Sequence, residues 1–163
     1  MHISDFIVVG EVDDPSLADG LFQRGYRKET PRFPHHIVAW YLRDDGARLP
    51  VSYVHFTDCH DIWLAGGAAT DGEVLRAMKP EQQQALRDYG GLMLATLRYG
   101  FEHYGPNCEA IFTCCGDPRA LATTPKLGFA ETGIQYLLVN FLRDLSDRRK
   151  SELTAKAASF MPF

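Results

Sequence analysis

A chain of 163 residues, 45% hydrophobic and 23% charged, can bury a core of its own and reads as one domain over residues 1–163. A formal net charge of −4, with basic residues spread thinly, leaves no dense cationic face and argues against nucleic acid as a partner. No apolar run approaches the ~20 residues of a membrane span, and the start "MHISDFIVVGEVDD" lacks the basic lead-in of a signal peptide.

In chain order, "DFIVVG" reads as a strand, and "DPSLADGLFQRG" as a short helix opened by Asp14 with Pro15 at its first position. "ETPRFP" is a loop. "HHIVAWYLRDDGARLPVSYVHF" predicts a β-hairpin turning on Asp44-Asp45-Gly46, with Val51, Tyr53 and His55 alternating against Ser52, Val54 and Phe56. "DIWLAGGAAT" is a further strand whose Gly66-Gly67 pair signals a bulge or a close backbone approach.

The period then changes. "DGEVLRAM" and "PEQQQALRDY" predict helices started by Asp71 and Pro80. "GGLMLATLRYGFEHYG" is the clearest helix, with Met93, Leu97, Phe101 and Tyr104 along one face and Arg98 four residues before Glu102 on another. "CEAIFTCC" is a short buried strand. "DPRALATTPK" is a helix capped by Asp117 and Pro118, ending near Thr123 because Pro125 follows. "IQYLLVNFLRD" is a last strand, and a C-terminal helix runs from about residue 144 into an apolar tail. Its cluster Arg148-Arg149-Lys150 reads as a solvated face. Strands followed by a β-α-β-α-β run predict an α/β (α+β) fold, a mixed sheet with helices on both faces.

Cys59, Cys108, Cys114 and Cys115 lack paired zinc spacing, which points to a reduced, cytoplasmic setting. The acids and histidines of "HFTDCHD" have no second ligand group elsewhere, so no metal is expected; His60 or Asp61 there offers a general base. Cys114-Cys115, at the end of a buried strand, raises a nucleophile, although a cysteine without a histidine partner is more often a core residue. Gly90-Gly91 opens the main helix, leaving its first N–H groups and positive dipole end open to an anion; the alternative is a plain break between two stacked helices, with Arg87 on the solvated side.

Helix, "KLGF", then strand resembles the C-terminal signature of the GNAT superfamily, the acyl-coenzyme A dependent N-acyltransferases, over roughly residues 34–142. Lys126, Leu127, Gly128 and Phe129 match outright; Asp117 stands at the usual Asn position, Ala120 at the Ala and Thr124 at the Tyr. The family's second mark, Arg or Gln then x-x-G-x-G/A, finds Arg87 and Gly90 in "RDYGGL", with Leu92 where Gly or Ala is usual. The resemblance implies a mostly antiparallel twisted sheet that binds acetyl-coenzyme A and transfers its acyl group to the amine of a small molecule or peptide, with a homodimer an open option. It places the pyrophosphate at Arg87, Gly90, Gly91 and Leu92, aided by Asp117 and Lys126. The thioester falls against the backbone between Ala65 and Ala69, Ala68 and Ala69 included. Thr124 replaces the phenol that protonates the departing thiolate in many members. A threonine hydroxyl is a weak general acid, so Cys115, Tyr136 or water are the other donors. Two alternatives keep the fold: an acyl carrier protein as donor, as in acyl-homoserine-lactone synthases, or a degenerate binding protein. The insertion over residues 70–89 would reshape the phosphate loop or form a lid.

Overall fold

The computed structural model describes residues 1–163, the side chain of Arg119 excepted. One sheet holds β1 (Ile7–Val12), β2 (His35–Leu42), β3 (Arg48–Asp58), β4 (Ile62–Thr70), β5 (Ala110–Cys114), β6 (Ala130–Glu131) and β7 (Leu137–Phe141), in the spatial order β1-β2-β3-β4-β5-β7-β6. Neighbours are antiparallel except for β4 and β5, which run parallel. The helices are α1 (Asp19–Tyr26), α2 (Gly72–Ala77), α3 (Pro80–Tyr89), α4 (Leu92–Tyr104), α5 (Pro118–Leu121) and α6 (Asp147–Ala158). Among the described residues no helix is long and apolar enough to cross a membrane. All four cysteines are free thiols.

Parity along β4 and β5 sorts the core onto two faces. Trp63, Ala65 and Ile111 point to α4, where they meet Phe56, Leu97 and Tyr104. Ile62, Leu64, Ala110 and Phe112 point the other way, onto Leu153 and Ala157 of α6. On that second face α1 packs Leu21 and Phe22 over Val38, Tyr53 and Ala69. On the first, α3 and the N-terminal turn complete a cluster of Ile3, Phe6, Ala39, Val51, Leu86 and Leu92.

Val51 departs from the predicted alternation. A register shift between Ala39 and Trp40 leaves it unpaired on β3, and the bulge turns it toward α3 while Tyr53 faces α1. Arg98 also departs: its guanidinium lies over the Tyr89 ring, 5.1 Å from the centroid, and donates to that hydroxyl rather than to Glu102. The last strand is shorter than predicted, because Tyr136 takes a positive φ of 69° just before it.

The "KLGF" stretch has a local explanation. Thr124–Leu127 form a 3-10 turn that ends on Gly128 at φ 78°. A Cβ there would lie 2.8 Å from Nδ2 of Asn140, which donates to the Leu127 carbonyl. Glycine is required twice, by the left-handed backbone and by the close amide. Phe129 then drops into the core and meets Phe101 edge to face at 5.4 Å.

Candidate functional site

The parallel ladder of β4 and β5 runs from Ile62–Ala110 to Ala65–Thr113 and stops. Beyond it β4 stays with β3 through a bulge, Gly67 and Ala68 standing against the single residue Val54. Meanwhile β5 leaves with β7: Cys114 pairs with Leu137, and the Cys115 N–H donates to the Tyr136 carbonyl. The strands therefore part at Gly66, making a cleft at the C-terminal ends of a parallel pair, where α/β folds place their ligands.

Both readings of Gly66-Gly67 hold. Gly67 carries the bulge at φ 61°, and a Cβ on it would lie 2.6 Å from Cε1 and Nδ1 of His55. A Cβ on Gly66 would lie 2.6 Å from the backbone carbonyl carbon of Phe163 and 2.9 Å from His55 Nε2. The close backbone is the chain's own tail. Met161 and Phe163 pack on the α6 cluster, while Phe160 and Pro162 stay exposed.

His55 is 3% exposed, stacked on Phe33 at 3.7 Å, and neither ring nitrogen has a hydrogen-bond partner. Burial, then the nearby His36, pushes its pKa down to about 3. His36 is also lowered, again chiefly by burial, and shares a 2.7 Å hydrogen bond with the Tyr53 hydroxyl. A depressed histidine contributes stability that is complete above its unfolded pKa, near 6.5, and is lost as pH falls toward about 3. Urea unfolding of wild type should therefore lose stability across that window, and the His55→Gln chain should lose less. Parallel pH profiles for the two chains would refute the burial of a neutral imidazole.

Across the cleft, the Tyr26 hydroxyl at the end of α1 donates to the Ala68 carbonyl at 2.6 Å. Burial, followed by the nearby Asp117 and Cys115, raises its pKa. The Cys115 thiol is raised by burial and donates to the Asp117 carbonyl at 3.7 Å. Both groups hold their protons at neutral pH. Ala69 is buried against α1.

On the other face, α3 ends at Gly90 with φ 108°, and α4 begins at Gly91 with φ 105° and ψ 159°. No side chain caps α4, so its first N–H groups stay unclaimed by any cap. A Cβ on Gly91 would meet nothing within 4 Å. One on Gly90 would lie 3.6 Å from Nζ of Lys126, whose ammonium has no carboxylate partner among the described residues. Leu92 is core, packed with Met78 and Leu86. An open helix front with a free ammonium beside it fits a phosphate group.

Other candidates are placed differently. Arg87 is exposed and donates to Gln84 one turn back, so it does not reach the front of α4. Thr124 is buried and its hydroxyl donates to the Leu121 carbonyl, which engages its one proton. Asp117 sits between β5 and α5, where its carbonyl accepts from the Leu121 N–H. His60 lies in the β3–β4 turn, at the opposite end of β4 from the cleft, where its N–H donates to Asp58. The structure does not bring it to the site, because the cleft opens only where β4 outruns its partner. Asp61 is committed to Arg149 and Lys156 of α6. Tyr26 carries no signal in the sequence, while His55 stands there only as one member of the polar run "HFTDCHD".

No protein-family model and no curated protein matches the chain. Solved structures do match. The ribosomal-protein-S18-alanine N-acetyltransferase of Escherichia coli superposes with a TM-score of 0.57 at 11% identity, over 86% of this chain and 97% of that one. An aminoglycoside 6'-N-acetyltransferase complexed with coenzyme A gives 0.52 at 9%, over 86% and 99%. A Pyrococcus horikoshii protein provisionally assigned as an acetyltransferase gives 0.53 at 13% over 77% of this chain, which spans 43% of its length. The chain has the fold of the GNAT superfamily of acetyltransferases.

Proposed function

We propose that the protein is an N-acyltransferase that moves an acyl group, acetyl in the simplest case, from acyl-coenzyme A to an amine. The observation that carries the reading is the uncapped front of α4 at Gly91, with the Lys126 ammonium beside it, on the sheet whose β4 and β5 part at Gly66. A pyrophosphate at that front would gain the helix dipole, free N–H groups and one cation. The thioester would then lie between the parted strands, its carbonyl against the backbone of Gly66 to Ala69.

In the reaction the amine nitrogen attacks the thioester carbon, a C–N bond forms and the C–S bond breaks. The proton lost from nitrogen is balanced by one taken up at sulfur. His55, neutral and unpartnered, is too weak a base at a pKa of about 3 to deprotonate an ammonium efficiently. Tyr26 and Cys115, both protonated and flanking the cleft, could reach the departing thiolate only by releasing the Ala68 and Asp117 carbonyls to which they now donate. Holding the two reactants in line supplies a large share of the rate.

Calorimetry with acetyl-coenzyme A tests this reading. Wild type should release measurable heat, and Lys126→Glu should bind about tenfold more weakly, since a helix-front charge and its reversal are together worth ~1–2 kcal/mol. No heat from wild type at millimolar ligand would overturn it. The engaged hydroxyl of Thr124, at the position where the family keeps a phenol, favours a second reading in which the carrier binds and no transfer follows. Binding without release of free thiol, whatever amine is offered, would select that reading.

A further inference from the structure

Gly66 has no conformational need to be glycine. Its φ lies outside the left-handed region, unlike that of Gly67 at 61°, and glycine inside a strand weakens it. What the missing Cβ leaves room for is the tail. The Phe163 carbonyl carbon and oxygen lie 2.6 and 2.8 Å from where that Cβ would stand, beside His55 Nε2 at 2.9 Å. Gly66 shares the parity of Ile62 and Leu64, so the tail sits on the α6 face of the sheet, at the residue where β4 and β5 part.

Little holds it there. The Phe160 and Met161 N–H groups donate to the Ala157 and Ala158 carbonyls at 3.1 and 3.2 Å, closing the end of α6. Beyond Met161, among the described residues, no hydrogen bond ties the segment to the sheet. Its anchors are the half-buried side chains of Met161 and Phe163, packed on the cluster of Leu64, Phe112 and Leu137. A segment with few buried contacts and no ladder hydrogen bonds belongs to the part of a fold that opens first.

The acyl-transfer reading gives this seat a consequence. A carrier whose phosphates lie at the front of α4 enters from the α4 face, and the attacking amine must then meet the parted strands from the other. That is the face the tail occupies. The space left by one missing Cβ cannot hold both the Phe163 backbone and an acceptor. We propose that residues 160–163 form an autoinhibitory strap: seated on Gly66 they close the acceptor side of the cleft, and an amine reaches the thioester only when they lift. That the closed side is the acceptor's rests on the acyl-transfer reading; the reversible seating of the strap does not.

The test compares wild type with the full-length double variant Met161→Ser with Phe163→Ser, which keeps α6 and frees the strap. Phe163→Ser alone replaces it if circular dichroism shows the pair unfolded. The first probe is the peptide N-acetyl-Phe-Met-Pro-Phe, titrated calorimetrically. A strap tethered this closely has an effective concentration of ~1 mM or more, so one closed about ten times as often as open implies a peptide dissociation constant of roughly 0.1 mM. The variant should bind the peptide near that level, and wild type about tenfold more weakly because its own strap holds the place. The second probe is thiol release from acetyl-coenzyme A with phenethylamine, whose apolar arm suits the wall that the strap uncovers. KM for the amine should fall about tenfold in the variant with kcat unchanged, and acetyl-coenzyme A should bind both chains equally. Equal peptide binding by the two chains, no binding by either at millimolar peptide, or a KM that does not fall would overturn the inference. If the variant takes the peptide and neither chain releases thiol, the strap stands and the acyl-transfer reading falls.

Discussion

Gly91→Ala should lower acetyl-coenzyme A affinity by about tenfold or more, and the melting temperature by several degrees. With φ at 105° and ψ at 159°, Gly91 occupies backbone space that is essentially closed to L side chains, and a Cβ there costs ~1–3 kcal/mol. No neighbour lies within 4 Å, so the penalty is conformational rather than steric. The chain can relieve it by turning the Gly91 backbone, which re-aims the first N–H groups of α4 and dissolves the anion cradle. Gly25→Ala is the control: that residue also has open space around it, in α1. Ordinary helical backbone should make alanine slightly stabilising there, by up to ~1 kcal/mol. A Gly91→Ala chain that binds acetyl-coenzyme A as wild type does would remove the α4 front from the site.

Gly100→Ala sets two effects against each other. Alanine in a helix interior gains ~1 kcal/mol over glycine. The added methyl, however, would lie 2.2 Å from Cζ of Phe56. That ring is fully buried and tilted against Tyr104 at 5.2 Å, while Tyr104 in turn stacks on Trp63 at 4.1 Å. With no room to step aside, overpacking of ~1–3 kcal/mol or more should win. The expected net loss is about 2 kcal/mol, near 6 °C in melting temperature for a chain of this size. Phe56→Leu on top of Gly100→Ala should recover part of it in a double-mutant cycle. Additive effects of the two changes would refute the contact.

Which features could be read from the residues follows from how local their causes are. The strand at Ala110–Cys114, the helix at Leu92–Tyr104 and the Asp14-Pro15 start are written in short-range periodicity and caps. The turn on Gly128 is equally local. The burial of His55 was hidden because its surroundings are assembled from Phe33, Tyr53 and the Gly66-Gly67 bulge, three segments that only the sheet brings together. Tyr26 was hidden for the same reason: its hydroxyl meets Ala68, 42 positions away. His60 misled because polar residues cluster in its turn, and adjacency in sequence says nothing about which end of a strand opens. The glycine at 100 likewise has its cause in a ring on β3.

Arg149 of α6 gives the cleft a mechanical character. It clasps Glu109 at 2.5 Å and Asp61 at 2.6 Å, the residues immediately before β5 and β4. Lys156 adds a second tie from the same helix, to Asp61 and to the Cys59 carbonyl. The two parallel strands are thus pinned together at their roots and part only at their tips, like the jaws of a clothes-peg sprung at one end. A change in ionic strength, which slackens exposed ion pairs, would therefore act at that clasp, on the face of the sheet opposite α4.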